Sequence, residues 1–128
     1  EVYKRRGIEE ENIVTVERNL LNEYDGEYIV LPITGYFDNA YNMHFFPLSP
    51  KIIPVFIGIH AVSEDVIERL LPYRSFGPFG CRDLETMKAM RKAGFDAYVS
   101  GCLSICRKKE EINDYESRKK VYLICLKI

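Results

Sequence analysis

No stretch of this chain comes near the roughly twenty continuous apolar residues that a membrane-crossing helix requires, so no helical span is expected. The basic start, apolar run and small-residue cleavage site of a secretory signal are also missing from the N-terminus, which makes the cytoplasm the expected compartment. Charge of one sign is lacking as well. The formal net charge is −1, whereas a dedicated nucleic-acid binder usually carries a strong basic excess. The one dense basic run, Arg107-Lys108-Lys109, is followed at once by Glu110-Glu111 and reads as a solvated loop. No phosphate loop, dinucleotide fingerprint or catalytic-serine elbow occurs. Cysteine is limited to Cys81, Cys102, Cys106 and Cys125. The Cys102-x3-Cys106 pair with two distant partners lacks the short paired spacing of a zinc ribbon, so reduced thiols are expected, not a metal site or a disulfide frame.

What is present is enough apolar material for a core. With 47% hydrophobic and 29% charged residues, residues 1–128 fit one compact domain. The chain starts at Glu1 without an initiator methionine and reads as a fragment or a processed chain.

Strands are expected at Ile13–Val16 and at Tyr28–Leu31, the latter ending at Pro32. Between them, residues 18–26 read as a loop or a helical turn. The aromatic stretch from Gly35 to Pro50 has no clear period, and long irregular segments in compact domains are often functional. Ile52–Ile59 is a nearly continuous apolar run suited to a strand covered on both faces, with Pro54 near its start. A helix should follow, with Ser63 as N-cap, a stripe of Val66, Ile67, Leu70 and Leu71, and Pro72 as terminator. A strand over Phe76–Cys81 leads to a second helix from Asp83, striped by Leu84, Met87 and Met90 and stopped at Gly94. Ala97–Val99 and Val121–Leu126 complete the strands. This alternation predicts an α/β domain with a mostly parallel sheet.

Ligands of such sheets gather beyond the carboxyl ends of the strands, where helix N-termini offer unpaired N–H groups. Three segments fall there: Thr34-Gly35-Tyr36, Gly80-Cys81-Arg82-Asp83 and Ser100-Gly101-Cys102-Leu103-Ser104. Arg82 has the five-donor fork that suits a carboxylate or a phosphate, and Asp83 can cap the next helix while holding the arginine. Spacing by itself favours a plainer pair, a cap beside a surface ion-pair partner. Ser100-Gly101-Cys102 reads as a turn that lets a ligand or a backbone approach closely, with a plain tight turn nearly equal to it. His44 and His60 are candidate acids, bases or donors, although a lone histidine is more often a hydrogen-bonded structural residue. Tyr36, Phe37, Tyr41, Phe45 and Phe46 could stack on a sugar or pack a loop onto the sheet. The residues by themselves reach as far as an α/β domain with an anion-binding cleft.

Three segments taken together resemble the polysaccharide pyruvyl transferase family: residues 47–57 (PLSPKIIPVFI), 79–86 (FGCRDLET) and 97–104 (AYVSGCLS). Val16-Glu17-Arg18-Asn19-Leu20 and Thr34-Gly35-Tyr36 are weaker matches. The resemblance spans the chain from about Val14 and implies a Rossmann-like lobe, the N-terminal half of a two-lobed fold similar to GT-B glycosyltransferases. It also implies transfer of the pyruvyl group of phosphoenolpyruvate to sugar hydroxyls during exopolysaccharide biosynthesis, with no metal and no further cofactor. By motif, Arg82 becomes the donor-binding or transition-state arginine and Asp83 its orienter, which reverses the order favoured by spacing. Gly35, Tyr36, Ser100, Gly101 and Cys102 become substrate-binding candidates. The family's opening glycine-rich turn, second lobe and acid histidine have no counterpart in these residues, and neither His44 nor His60 matches that histidine. Turnover is therefore expected to need the second lobe, from a longer chain or an oligomer partner. A non-catalytic glycan- or anion-binding lobe and another GT-B-type transferase are the competing readings.

Overall fold

The computed structural model describes residues 6–106 and 122–127. Among the described residues there are six strands, β1 (Ile13–Glu17), β2 (Ile29–Phe37), β3 (Ile52–Ala61), β4 (Phe79–Cys81), β5 (Ala97–Val99) and β6 (Tyr122–Lys127). They form one sheet in the order β1-β6-β2-β3-β4-β5. β2 to β5 are parallel and adjacent in chain order, while β6 lies antiparallel between β1 and β2. Two helices, α1 (Glu64–Leu70) and α2 (Leu84–Lys92), fill the β3–β4 and β4–β5 crossovers. The chain thus has the general α/β architecture that its alternating pattern predicts. The charged run from Arg107 to Glu111 lies outside the described residues.

Strand alternation shows which face carries the core. Ile29, Leu31 and Ile33 of β2 and Ile52 and Phe56 of β3 are buried in one cluster with Val66 and Leu70 of α1 and Met90 of α2, and Pro54 is buried on the same face of β3. The intervening Ile53 and Val55 remain 38% and 43% exposed, so the continuous apolar run of β3 is not covered equally on its two sides.

β2 runs on through Pro32 to Phe37 and does not stop at the proline. The Ile29 N–H donates to the Lys51 carbonyl on the β3 side, so by alternation the even positions of β2 point their N–H the other way. Pro32 therefore lacks its donor on the side where pairing with β6 has ended at Val30. Pro54 is tolerated by the same logic, because β4 meets β3 only at Ile59.

The helix starts differ from their sequence signals. Ser63 occupies the N-cap of α1, but its hydroxyl makes no capping bond. Asp83 caps α2 fully, its Oδ1 accepting from the Thr86 N–H at 2.8 Å. Within α2 the buried positions are Thr86 and Met90, four apart, while Leu84 is 53% exposed in the first turn. The strand expected across Phe76–Cys81 is confined to Phe79–Cys81, because Leu71–Phe76 coils into a 3-10 turn after α1.

The aromatic segment is mostly core. Phe37, Phe45 and Phe46 are buried, and a 3-10 turn over Ala40–Met43 sets Met43 beside them. Only Tyr36 and Tyr41 keep exposed rings. Loop packing therefore outweighs the reading of all five as a sugar platform.

Candidate functional site at the carboxyl edge

Register places four residues in a row across the carboxyl ends of the parallel strands. Tyr36 pairs with His60, Ile59 with Cys81, and Cys81 with Val99. One residue past those last pairs, His60, Arg82 and Ser100 stand level with Tyr36. All three segments singled out by sequence meet this edge.

His60 owes its place to a bulge. Along β2 the step from Ile33 to Gly35 is two residues, while the partners on β3 advance three, from Phe56 to Ile59. The extra residue falls at Gly58, whose φ of +66° is readily available only to glycine. Without it, His60 would share the face of Ile52, Pro54 and Phe56 and point into the core. With it, Ile59 and Ala61 keep the core positions and His60 turns out beside Tyr36.

Two glycines also admit the turn after β5. A Cβ on Gly58 would lie 3.1 Å from the Gly101 carbonyl oxygen, and one on Gly80 would lie 2.9 Å from Ser100 Oγ and 3.1 Å from Ile57 Cα. The Ser100–Gly101 backbone therefore folds over β4 onto β3. Ser100 Oγ accepts from the Gly58 N–H at 3.0 Å and lies 3.2 Å from the Cys81 carbonyl oxygen. Its hydroxyl is committed to pinning the bulge, and Gly101, at φ +74°, makes the turn possible.

Asp83 joins the helix cap to the imidazole. While Oδ1 caps α2, Oδ2 lies 2.8 Å from His60 Nδ1. The Thr86 hydroxyl stands 3.2 Å from the same ring nitrogen and accepts from the Ala61 N–H. Burial alone would raise the Asp83 carboxyl, but bonds from the Thr86 N–H, from His60 and from the Thr86 hydroxyl outweigh it and hold the group below its ordinary 3.8. Tyr36 stacks on the His60 ring at a centroid distance of 4.1 Å and an interplanar angle of 3°, while the residue as a whole stays 55% exposed. Gly35 sits directly before it, opposite Ile59.

Arg82 is fixed by its main chain, which donates to the Ile59 carbonyl at 2.7 Å. Its side chain is half-buried, and Nε is enclosed without a hydrogen-bond partner among the described residues. Only two described side-chain polar atoms share that condition, the other being Ser63 Oγ. An enclosed cationic N–H with no acceptor is costly. The positive charge of Arg82 also acts on Cys102.

The two described thiols have opposite characters. Cys102 is half-buried, and a hydrogen bond from the Ser104 hydroxyl, then the Ser104 backbone, then the Arg82 charge hold its thiol below the usual range. Cys81 is fully buried, and burial, with the Asp83 charge second, pushes its thiol up to about 11. Thiolate is the reactive form, so at neutral pH iodoacetamide is expected to label Cys102 while Cys81 stays unmodified. Peptide mass mapping of the native protein checks this, and labelling of Cys81 at the rate of Cys102 would contradict it. The side chains of Cys106 and Cys125 lie outside those described.

Of the residues proposed from sequence, Gly35, Tyr36, Arg82, Asp83, Ser100, Gly101 and Cys102 all lie at this edge. His44 is engaged elsewhere, its ring nitrogens 3.1 Å from Asn19 Oδ1 and 3.4 Å from the Tyr41 carbonyl oxygen. The weight of His60 was not evident in the sequence, and neither was the service of Gly58 and Gly80. The signal was a glycine interrupting an apolar strand two residues before a histidine. Three charged or polar functions thus converge: an anchored guanidinium with an unsatisfied donor, an oriented imidazole, and an exposed aromatic ring. No family model, curated protein or solved structure matches this chain.

Proposed function

We propose that the chain is the N-terminal, Rossmann-like lobe of a GT-B-like polysaccharide pyruvyl transferase, moving the pyruvyl group of phosphoenolpyruvate onto sugar hydroxyls. The observation that carries the reading is the Nε of Arg82 at the carboxyl edge, enclosed and without a partner among the described residues. A carboxylate or phosphate oxygen would satisfy it, and phosphoenolpyruvate carries both groups. The motif resemblance supplies the donor, and the α/β sheet supplies the edge where such sites form. Chemically, the enol carbon C3 gains a proton, a sugar hydroxyl attacks C2, and phosphate departs with the C2–O electron pair. A second hydroxyl then closes the ketal. Arg82 would offset the negative charge of the carboxylate and the leaving phosphate, and the exposed Tyr36 ring offers an apolar face to a sugar.

The test is turnover by the natural full-length protein with phosphoenolpyruvate and a glycan acceptor. Release of inorganic phosphate matched by a pyruvate ketal on the acceptor is the expected result. Binding of glycan or phosphoenolpyruvate with no transfer would favour a lobe that binds without catalysing. Transfer from a nucleotide sugar would replace this reading with another glycosyltransferase activity.

A further inference from the structure

Several features of His60 go beyond what a helix cap needs. Asp83 could cap α2 through Oδ1 alone, yet its second oxygen is spent on His60 Nδ1 at 2.8 Å. A carboxylate accepts, so whenever the ring is neutral its proton belongs on Nδ1. The lone pair of that ring then sits on Nε2. Nε2 has no hydrogen-bond partner among the described residues, and it is not one of the enclosed unpaired atoms. The parallel Tyr36 ring covers one face of the imidazole and restrains its rotation. The side chain is only 12% exposed overall, so its solvent access is narrow. Arg82 stands level with it, one residue past the end of the neighbouring strand β4.

We propose that His60 is a general base at this edge, with Asp83 as its positioning residue, taking the proton of an acceptor hydroxyl on Nε2. The inference rests on the pyruvyl-transfer reading and adds a catalytic residue that the family motifs do not mark. The hydroxyl oxygen forms its bond to C2 of the C3-protonated pyruvyl group with the electron pair left by its proton. The C2–O bond to phosphate breaks with its pair going to phosphate, and the proton on Nε2 passes to that leaving group. Of the two hydroxyl protons lost in the overall reaction, one ends on phosphate and the other balances the proton gained at C3. His60 is left as it began.

His60→Asn in the natural full-length protein separates this role from a structural one, because the asparagine amide can still donate to Asp83 but has no basic nitrogen. General bases contribute about 10²- to 10⁴-fold, so kcat for ketal formation is expected to fall in that range. Phosphoenolpyruvate affinity by calorimetry should change by less than about threefold on the same argument, since a base acts on the acceptor and not on donor binding. Ketal formation by the wild type and equally by a folded His60→Asn overturns the proposal and leaves the transferase reading standing. No ketal from the wild type overturns the reading and this proposal with it. A second measurement does not depend on the variant folding: ¹⁵N NMR of the wild-type imidazole should show a protonated Nδ1 and an unprotonated Nε2. The opposite tautomer would overturn the proposal by itself.

Discussion

Arg82→Ala in the natural full-length protein is expected to weaken phosphoenolpyruvate binding by about 30- to 4,000-fold, the range for truncating one partner of a buried, hydrogen-bonded charge pair. The reasoning starts from the main chain. The Arg82 N–H is tied to the Ile59 carbonyl, so the guanidinium projects from a fixed point at the strand end. Its Nε is enclosed and has no acceptor among the described groups. Folding thus leaves a desolvated donor that an anionic oxygen can satisfy, and the alanine variant removes both the donor and its unpaid desolvation. Stability should consequently change little, while affinity falls. Arg82→Lys is expected to recover only part of the binding, because a point charge cannot reproduce the planar fork. Calorimetry with both variants, alongside thermal melts, checks this. Wild-type affinity in a folded Arg82→Ala would return Arg82 and Asp83 to the role of a helix start.

The legibility of the sequence was uneven for physical reasons. Features set by local chemistry were readable: Gly94 takes φ +84° past α2, and Asp83 caps that helix. Features set by neighbours in space were not. Pro32 looked like a strand terminator, and it is harmless only because β6 has stopped pairing beside it. Ser63 has the better cap signature in sequence, yet the capping bond is made by Asp83, which also has His60 to anchor it. The aromatics after Gly35 gave no period, because they fill the core from a loop whose path local propensity does not specify.

The candidate site divides in the same way. Its arginine, aspartate and small-residue turn stand at strand ends, a place that the alternation of elements marks directly. His60 depends on strand register, and a single inserted residue at Gly58 decides which face it joins. An alternation count carried straight through the strand would have buried it. The bulge in turn exposes a main-chain N–H that Ser100, forty-two residues later, must satisfy. Such long-range reciprocity leaves no mark within either segment alone.

Phe79→Ala should be the most damaging core substitution near the site, costing about 3–5 kcal/mol as large aromatic truncations do. Phe79 is fully buried and stacks on Phe56 at 4.3 Å with a 10° interplanar angle, while Phe95 meets it edge-on at 4.9 Å. It therefore joins β3, β4 and the segment entering β5 through a single side chain. The surrounding ladder has little to replace it with: β4 is three residues long and pairs with β3 at Ile59↔Cys81. Against a total stability of about 5–15 kcal/mol for a typical domain, the loss is a large fraction of the whole. Because Arg82 and Asp83 directly follow β4, loosening that strand should also blur the positions of the guanidinium and the His60 anchor. Urea unfolding is expected to show a lower midpoint for Phe79→Ala, with phosphoenolpyruvate affinity falling even where the variant remains folded. Phe79→Leu, which keeps most of the volume, should restore much of both. An unchanged midpoint would mean that β4 is held by something other than this aromatic stack, and the anchoring of the carboxyl edge would have to be sought in the Ser100 pin instead.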